Sequence, residues 1–190
     1  MYHSHKAAQV AGYLLNKAGG IEYSDTVIKL MYIAERRFLN EKGRTIINDS
    51  YYSMDNGPVL SNTYNLIKNS AASILSADDW RSWITPQPDH KIGLAKVVED
   101  NYDFDELSRS EMAMLDQVFE EFGHYDRWVL CDKIHEFGEW RNPHGSSRPI
   151  DLREMLTAQG RDEDEAETMI ADIIAQKQID ELLADLCERA

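Results

Sequence analysis

The chain has 190 residues, 43% of them hydrophobic, and a formal net charge of −14. That length suits one domain, or one domain with an appendage, and the apolar content is enough for a real core. The acidity argues against non-specific binding to nucleic acid or anionic membrane; it is compatible with a basic partner, but an ordinary acidic soluble protein is the preferred reading.

Residues 4–18 read as a helix, with Ala7, Ala8, Ala11, Leu14, Leu15 and Ala18 at helical spacing, Ser4 as N-cap and Gly19-Gly20 as stop. A second helix is expected from the cap pair Ser24-Asp25 to about residue 41, with Val27, Leu30, Met31, Ala34 and Phe38 inward and Gly43 ending it. The pair has the outline of a helix–turn–helix. Lys29, Arg36, Arg37, Lys42 and Arg44 make its second helix and exit the densest basic cluster of the chain. One reading is a DNA-contacting element. The other is a solvated helix face with Glu35 and Glu41 as local partners. It is preferred because the middle of the helix lacks the Asn, Gln or Ser side chains that read bases.

Thr45-Ile46-Ile47 and Tyr51–Met54 read as short strands. The most constrained run follows them. Asn56-Gly57 supplies the positive φ of a tight turn, and Pro58 suits the first turn of a helix, so the expectation is strand, abrupt turn, helix start. Leu60–Ser70 is the expected helix, with Tyr64, Leu66 and Ile67 inward, continued by Ala71–Leu75 and broken at Ser76–Asp79. Trp80–Thr85 and Ile92–Val98 are expected as an antiparallel strand pair around a loop whose two prolines exclude a central strand. In a strand, Trp80 and Trp83 face opposite ways, which leaves one of them for a partner.

Asn101–Leu107 reads as an acidic linker. Ser108-Arg109-Ser110-Glu111 is a capping box, and its helix runs to about Phe122 on a core of Met112, Leu115, Val118, Phe119 and Phe122. Asp126 caps a helix to about Glu136; residues 137–149 read as an irregular loop; Asp151 caps a helix to Ala158. Residues 162–188 form one long helix or two shorter ones. They carry two apolar stripes, Met169/Ile170/Ile173/Ile174 and Ile179/Leu182/Leu183/Leu186, and serve as a docking helix for the body or a handle for a partner or a second copy. The fold class is therefore α+β and mostly α-helical, with a small antiparallel β-sheet. The domain spans 1–160, and 161–190 is an amphipathic C-terminal helical extension.

Nucleotide-binding glycine loops, nucleophile elbows and HExxH motifs do not occur. Trp128, Cys131 and His135 share one helical face. The Cys/His pair has the spacing of two metal ligands or of a thiolate–imidazole pair, with only His124, Asp126 and His144 as neighbouring ligands. The alternative is a half-buried face in which His135 is simply hydrogen-bonded. His3-x-His5 is a weak metal pair or a loose terminus. No catalytic, metal or cofactor residue is assigned. The two cysteines, Cys131 and Cys187, are far apart and form no CxxC, which suits free thiols in a reducing compartment. The first residues lack an apolar signal core and no apolar run approaches a membrane span, so the expected location is the cytoplasm, with no membrane contact.

Several dispersed blocks carry a resemblance over roughly residues 5–160: Lys29–Glu35 on a helix; Tyr52-x-Met54-x-Asn56-Gly57-Pro58-Val59 running into Tyr64-Asn65; Phe104–Ser108 with Glu111; and His135-Glu136 with Trp140 behind. In that order they resemble the Panacea domain, the SocA-like antitoxin family. Family members usually place a Pro-x-Trp step after the histidine; here Gly138 stands in place of the proline. The resemblance implies a non-enzymatic antitoxin that binds and neutralises a toxin encoded beside it, within a type II toxin–antitoxin system. One branch of the family instead hands its toxin to a AAA+ protease. The expected partner-binding residues are Tyr52, Met54, Asn56, Gly57, Pro58, Val59 and Tyr64, with Trp80 or Trp83 at the rim. His135 and Trp140 are expected to hold the 137–149 loop against the body. Tyrosines beside an exposed Gly-Pro turn suit an interface, although for Tyr52 core and interface are equally open. A homo-oligomer is a further possibility, and DNA-binding autoregulation a weaker one.

Overall fold

Two helices at the start of the chain build the centre of the computed structural model, which describes residues 2–69 and 77–188. α1 (Ser4–Lys17) buries the expected alanine and leucine face. β1 (Ile21–Tyr23) then leads into α2 (Ser24–Lys42), which is buried along most of its length and ends on Gly43 at φ 65°. The caps differ from expectation. Ser4 Oγ donates to Asp79 Oδ2 at 2.5 Å and Ser24 Oγ donates to the His90 carbonyl at 3.0 Å, so both hydroxyls tie the helix starts to other segments instead of capping.

Residues 45–47 are not a strand. Glu35 reaches out of α2 and accepts from the Ile46 and Ile47 amides at 3.0 and 2.6 Å, so those N–H groups have no need of a strand partner. β2 (Tyr51–Met54) and β3 (Gly57–Leu60) form a hairpin across the two-residue turn Asp55-Asn56, with Gly57 at φ 108°. Pro58 therefore lies in a strand and not in the first helical turn. It is tolerated because β3 is the edge of its sheet, where one row of amides has no ladder partner. α3 (Ser61–Ile67) starts after Leu60, and Asp49 supplies its missing cap by accepting from the Asn62 and Thr63 amides at 2.8 and 3.0 Å. The expected continuation over 71–75 lies outside the described residues.

α4 (Ala77–Trp83) replaces the first half of the expected strand, and only β4 (Ile84–Gln87) and β5 (Lys91–Leu94) remain extended. Three residues apart on a helix, Trp80 and Trp83 point to the same side, and both are buried, at 5% and 1% exposure. Neither is left for a partner; Trp83 stacks on Phe104 with ring centroids 5.1 Å apart. The acidic linker holds a single 3-10 turn, Asn101–Asp103, and Phe104 anchors it in the core.

α5 (Arg109–Phe122) begins with the expected capping box: Ser108 accepts from the Glu111 amide, and Glu111 accepts from the Ser108 amide. Asp126 caps α6 (Arg127–His135) through the Trp128 amide. The supposed loop hides a strand, β6 (Arg148–Ile150), paired with β2. Asp151 and Glu154 form a second capping box at α7 (Leu152–Thr157). α8 (Glu163–Glu188) is one continuous helix. The strands form two antiparallel sheets of three, in the orders β1-β5-β4 and β3-β2-β6, rather than one. The class is as expected: α+β, mostly helical, with small antiparallel sheets. No helix among the described residues is long and apolar enough to cross a membrane.

The basic residues of the supposed helix–turn–helix are largely committed. β1 separates its two helices. Arg36 pairs with Glu139, Arg37 with Glu121 and Arg44 with Glu111, while Lys29 is 3% exposed; Lys42 is exposed. The partners come from α5 and from the segment after α6, not from Glu35 or Glu41.

Candidate partner-binding site

The β2–β3 hairpin ends in exposed Asp55 and Asn56, and its tip is braced from behind. The Trp140 indole donates to the Met54 carbonyl at 3.0 Å, and the Cys131 thiol to the Asn56 carbonyl at 3.3 Å. His135 stacks on Trp140, with centroids 4.0 Å apart, and its Nε2 lies 3.8 Å from Cys131 Sγ. The Gly145 amide donates to Asp55 Oδ1 at 2.9 Å, and the Arg141 amide to Ser53 Oγ at 3.2 Å. Backbone carbonyls at a hairpin tip usually go to water; here the Met54 and Asn56 carbonyls are both held by side chains of α6 and the segment after it. Gly57 is required by contact as well as by its positive φ. A Cβ there would stand 2.3 Å from Ile134 Cδ1.

The brace is itself anchored by a buried ion pair. Arg36 Nε and Nη2 donate to the two oxygens of Glu139 at 2.6 and 3.2 Å, and Tyr32 OH donates to the same carboxylate at 3.0 Å. Glu139 is 2% exposed, and the Arg36 guanidinium also lies over the Phe137 ring. A fork-to-fork pair of this kind fixes both position and orientation. It ties the segment carrying Trp140 to the middle of α2.

Beneath the tip lies a cleft of about 280 Å³. It brings together four of the residues expected at the interface: Met54, Asn56, Val59 and Tyr64. Its far wall was not foreseen and comes from α2 (Asp25, Ile28, Lys29) and from Gly145 and Ser146. Lys29 Nζ has Asp25 Oδ2 at 3.4 Å, a long contact for an ion pair, and Asp25 Oδ1 is buried without a hydrogen-bond partner. Such a pair carries unused hydrogen-bonding capacity. The one sequence signal was the four-residue spacing of Asp25 and Lys29 on a helix; nothing in the sequence joins them to the hairpin. The other expected residues lie elsewhere. Tyr52 is half-buried within the sheet, opposite Val59 and Pro149, and Gly57 and Pro58 are buried in β3. Trp80 and Trp83 belong to the core.

Cys131 and His135 do meet, and Trp128 stands apart from them, exposed. Burial pushes the Cys131 thiol up, away from the thiolate that a nucleophile or a metal ligand requires. Among the described residues no group of three His, Cys, Asp or Glu side chains is placed to hold a metal ion.

The class these features define is an α+β domain that displays a braced hairpin beside a small cleft. The family model described as antitoxin SocA-like, Panacea domain, matches residues 27–141, more than half of the chain, and the chain belongs to that family. The matched span contains both sides of the brace, from α2 to Trp140. No curated protein and no solved structure matches the chain significantly.

Proposed function

We propose that this protein is the antitoxin of a type II toxin–antitoxin system and neutralises a cognate toxin in the cytoplasm by direct protein–protein binding. The observation that carries the reading is the braced hairpin above the cleft, within the span that matches the antitoxin family. Held carbonyls and a fixed turn lower the ordering cost of binding, which leaves more of the contact energy for affinity. Met54, Asn56, Val59 and Tyr64 supply apolar, amide and aromatic contacts on one surface. The Asp25–Lys29 pair offers a charged anchor in the far wall of the cleft. The net charge of −14 steers a basic toxin face toward it. No step of this reading requires catalysis.

The test is co-expression with the adjacent reading frame, followed by co-purification and a growth assay. The expected result is a stoichiometric partner, toxic alone and harmless in the pair. Tyr64→Ala and Asn56→Ala should each weaken that complex by about 30-fold, the scale of an interface hot spot, and restore toxicity; at exposed Asn56 the melting temperature should not fall, which separates lost contact from lost stability. A wild-type chain that binds and rescues nothing overturns the proposal.

A further inference from the structure

The cleft under the hairpin tip has an unfinished polar end. Lys29 is 3% exposed, and a lysine buried to that degree is ordinarily well paired. Its ammonium carries three N–H donors. Among the described residues its one hydrogen-bond partner is Asp25 Oδ2, at 3.4 Å, beyond the usual range of about 2.7–3.2 Å. Asp25 is left short as well. Its Oδ1 is buried without a partner, while the side chain as a whole is 38% exposed, so the open side of the carboxylate carries Oδ2, the oxygen that faces Lys29. Ile28, Met54, Val59, Tyr64 and Ile67 supply the apolar part of the lining. A volume of about 280 Å³ lies just below the roughly 300–1,000 Å³ of pockets that enclose a drug-sized ligand, and it suits a single side chain.

Charge and hydrogen bonding select that side chain. Asp25 and Lys29 carry opposite formal charges, and so do Asp55 and Lys68, the other charged residues of the lining. A carboxylate brought to Lys29 would also stand beside Asp25, and an ammonium or guanidinium brought to Asp25 would also stand beside Lys29. In either case the like charge offsets the attraction. A neutral group that accepts from Lys29 and donates to Asp25 meets both needs, and an apolar stem meets the rest of the lining. Tyrosine combines these properties: one hydroxyl that is donor and acceptor, carried on a ring. Serine and threonine have no such stem, and the indole of tryptophan only donates. We infer that the cleft is a socket for a tyrosine side chain of the partner protein. Its ring meets Ile28, Met54 and Val59, and its hydroxyl lies between Lys29 Nζ and Asp25 Oδ2. Tyrosines seated in pockets are among the residues that dominate interface energy. The inference deepens the antitoxin reading and rests on it for the partner being a toxin; the chemistry of the socket rests on the cleft alone.

The probe is p-cresol, the tyrosine side chain as a free molecule, titrated into the full-length protein and followed by amide chemical shifts in NMR. Saturable shifts are expected at Asn56, Val59 and Tyr64. Toluene, 4-methylbenzoate and 4-methylbenzylammonium should each bind at least about fivefold more weakly, because each lacks the neutral donor–acceptor group or brings a charge. Equal binding of toluene overturns the inference, since the polar end would then select nothing. Tighter binding of 4-methylbenzoate or of 4-methylbenzamide also overturns it, by making a carboxylate or a carboxamide the occupant, and so does the absence of shifts at the cleft. Asp25→Leu/Lys29→Met replaces both polar partners by apolar groups of similar shape, a change that the fold can tolerate. It should abolish the preference for p-cresol over toluene with circular dichroism unchanged. In the co-purified complex, one Tyr→Phe substitution among the partner's tyrosines should weaken binding at least about tenfold; no effect from any of them removes the partner tyrosine as the source of the phenol. A neighbour neutralised through a cleft indifferent to p-cresol removes this inference and leaves the antitoxin reading. A cleft that selects p-cresol in a chain that neutralises no neighbour removes the antitoxin reading and leaves the chemistry of the socket.

Discussion

The hairpin and the distal half of α8 are both exposed, yet they are built on opposite terms. The hairpin tip is tied down by groups far away in sequence: Trp140 to Met54, Cys131 to Asn56, and behind them Glu139 to Arg36. Its Met54 and Asn56 carbonyls are held by side chains, and its shape precedes any partner. Among the described residues, the exposed row Ile179, Leu182 and Leu183 in the distal half of α8 has no such ties to the body. Its shape comes from local helical hydrogen bonds. Geometry fixed by long-range contacts suits a surface whose form must be constant, whereas an autonomous helix can change its face by substitution without disturbing the core. The boundary agrees with this difference, since the family-matched span holds the first region and not the second.

The largest effect should come from breaking the anchor of the brace. Glu139→Ala leaves the Arg36 guanidinium, 13% exposed, without its counter-charge and frees the segment carrying Trp140. Loss of one partner of a buried pair costs about 3–5 kcal/mol. Urea unfolding should show that loss directly. If the hairpin depends on the brace as described, the amide protons around Asp55 and Asn56 should exchange faster even in the folded protein, while those of α8 should not change. Uniform acceleration in both regions would erase the distinction between them.

A second way to sharpen the contrast uses pH. Burial pushes the Glu35 carboxyl up to about 7 despite the two amides and the Tyr51 hydroxyl that it accepts. In the unfolded chain the same group titrates near 4.5. Between those values the folded state binds more protons than the unfolded one, so stability falls as pH rises. The contribution is complete below the unfolded value and is lost as pH rises through about 7. Its full size is about 3 kcal/mol, because each tenfold difference in proton affinity between the two states is worth about 1.4 kcal/mol. Urea midpoints taken across that window should fall with pH in the wild type and flatten in Glu35→Gln. Glu35 holds the chain that leads into β2, so the effect belongs to the hairpin side of the molecule.

The same contrast explains how far the sequence could be read. Local signals were legible because their causes are local: the Ser108–Glu111 and Asp126 caps, the Asp151 cap and the continuity of the stripes within α5. What failed depended on distant partners. Thr45-Ile46-Ile47 has strand composition, but Glu35 takes its amides. Arg148–Ile150 looks like loop next to Pro149, yet β2 offers it an edge. Trp80 and Trp83 suit a strand by composition, and the helix that holds them is set by packing on α1, with Gly12 leaving room for Trp83. Four of the cleft residues were grouped from the sequence, as expected partner contacts, because they lie in one short run. Asp25 and Lys29 were not, because only the fold brings α2 under the hairpin tip.

The smallest expected effect is the one that tests whether α8 is truly autonomous. Leu182→Ala/Leu183→Ala removes two large apolar side chains that are more than half exposed. In a core, each such truncation costs about 2–5 kcal/mol; on a solvated helix built from good helix formers, the change should stay within about 0.5 kcal/mol. Alanine retains helix propensity, so circular dichroism should be unchanged as well. A near-zero change in the unfolding midpoint shows that the row contributes no packing to this molecule. A loss on the scale of a core truncation would mean that the row packs against this molecule after all, and the two regions would then differ in degree rather than in kind.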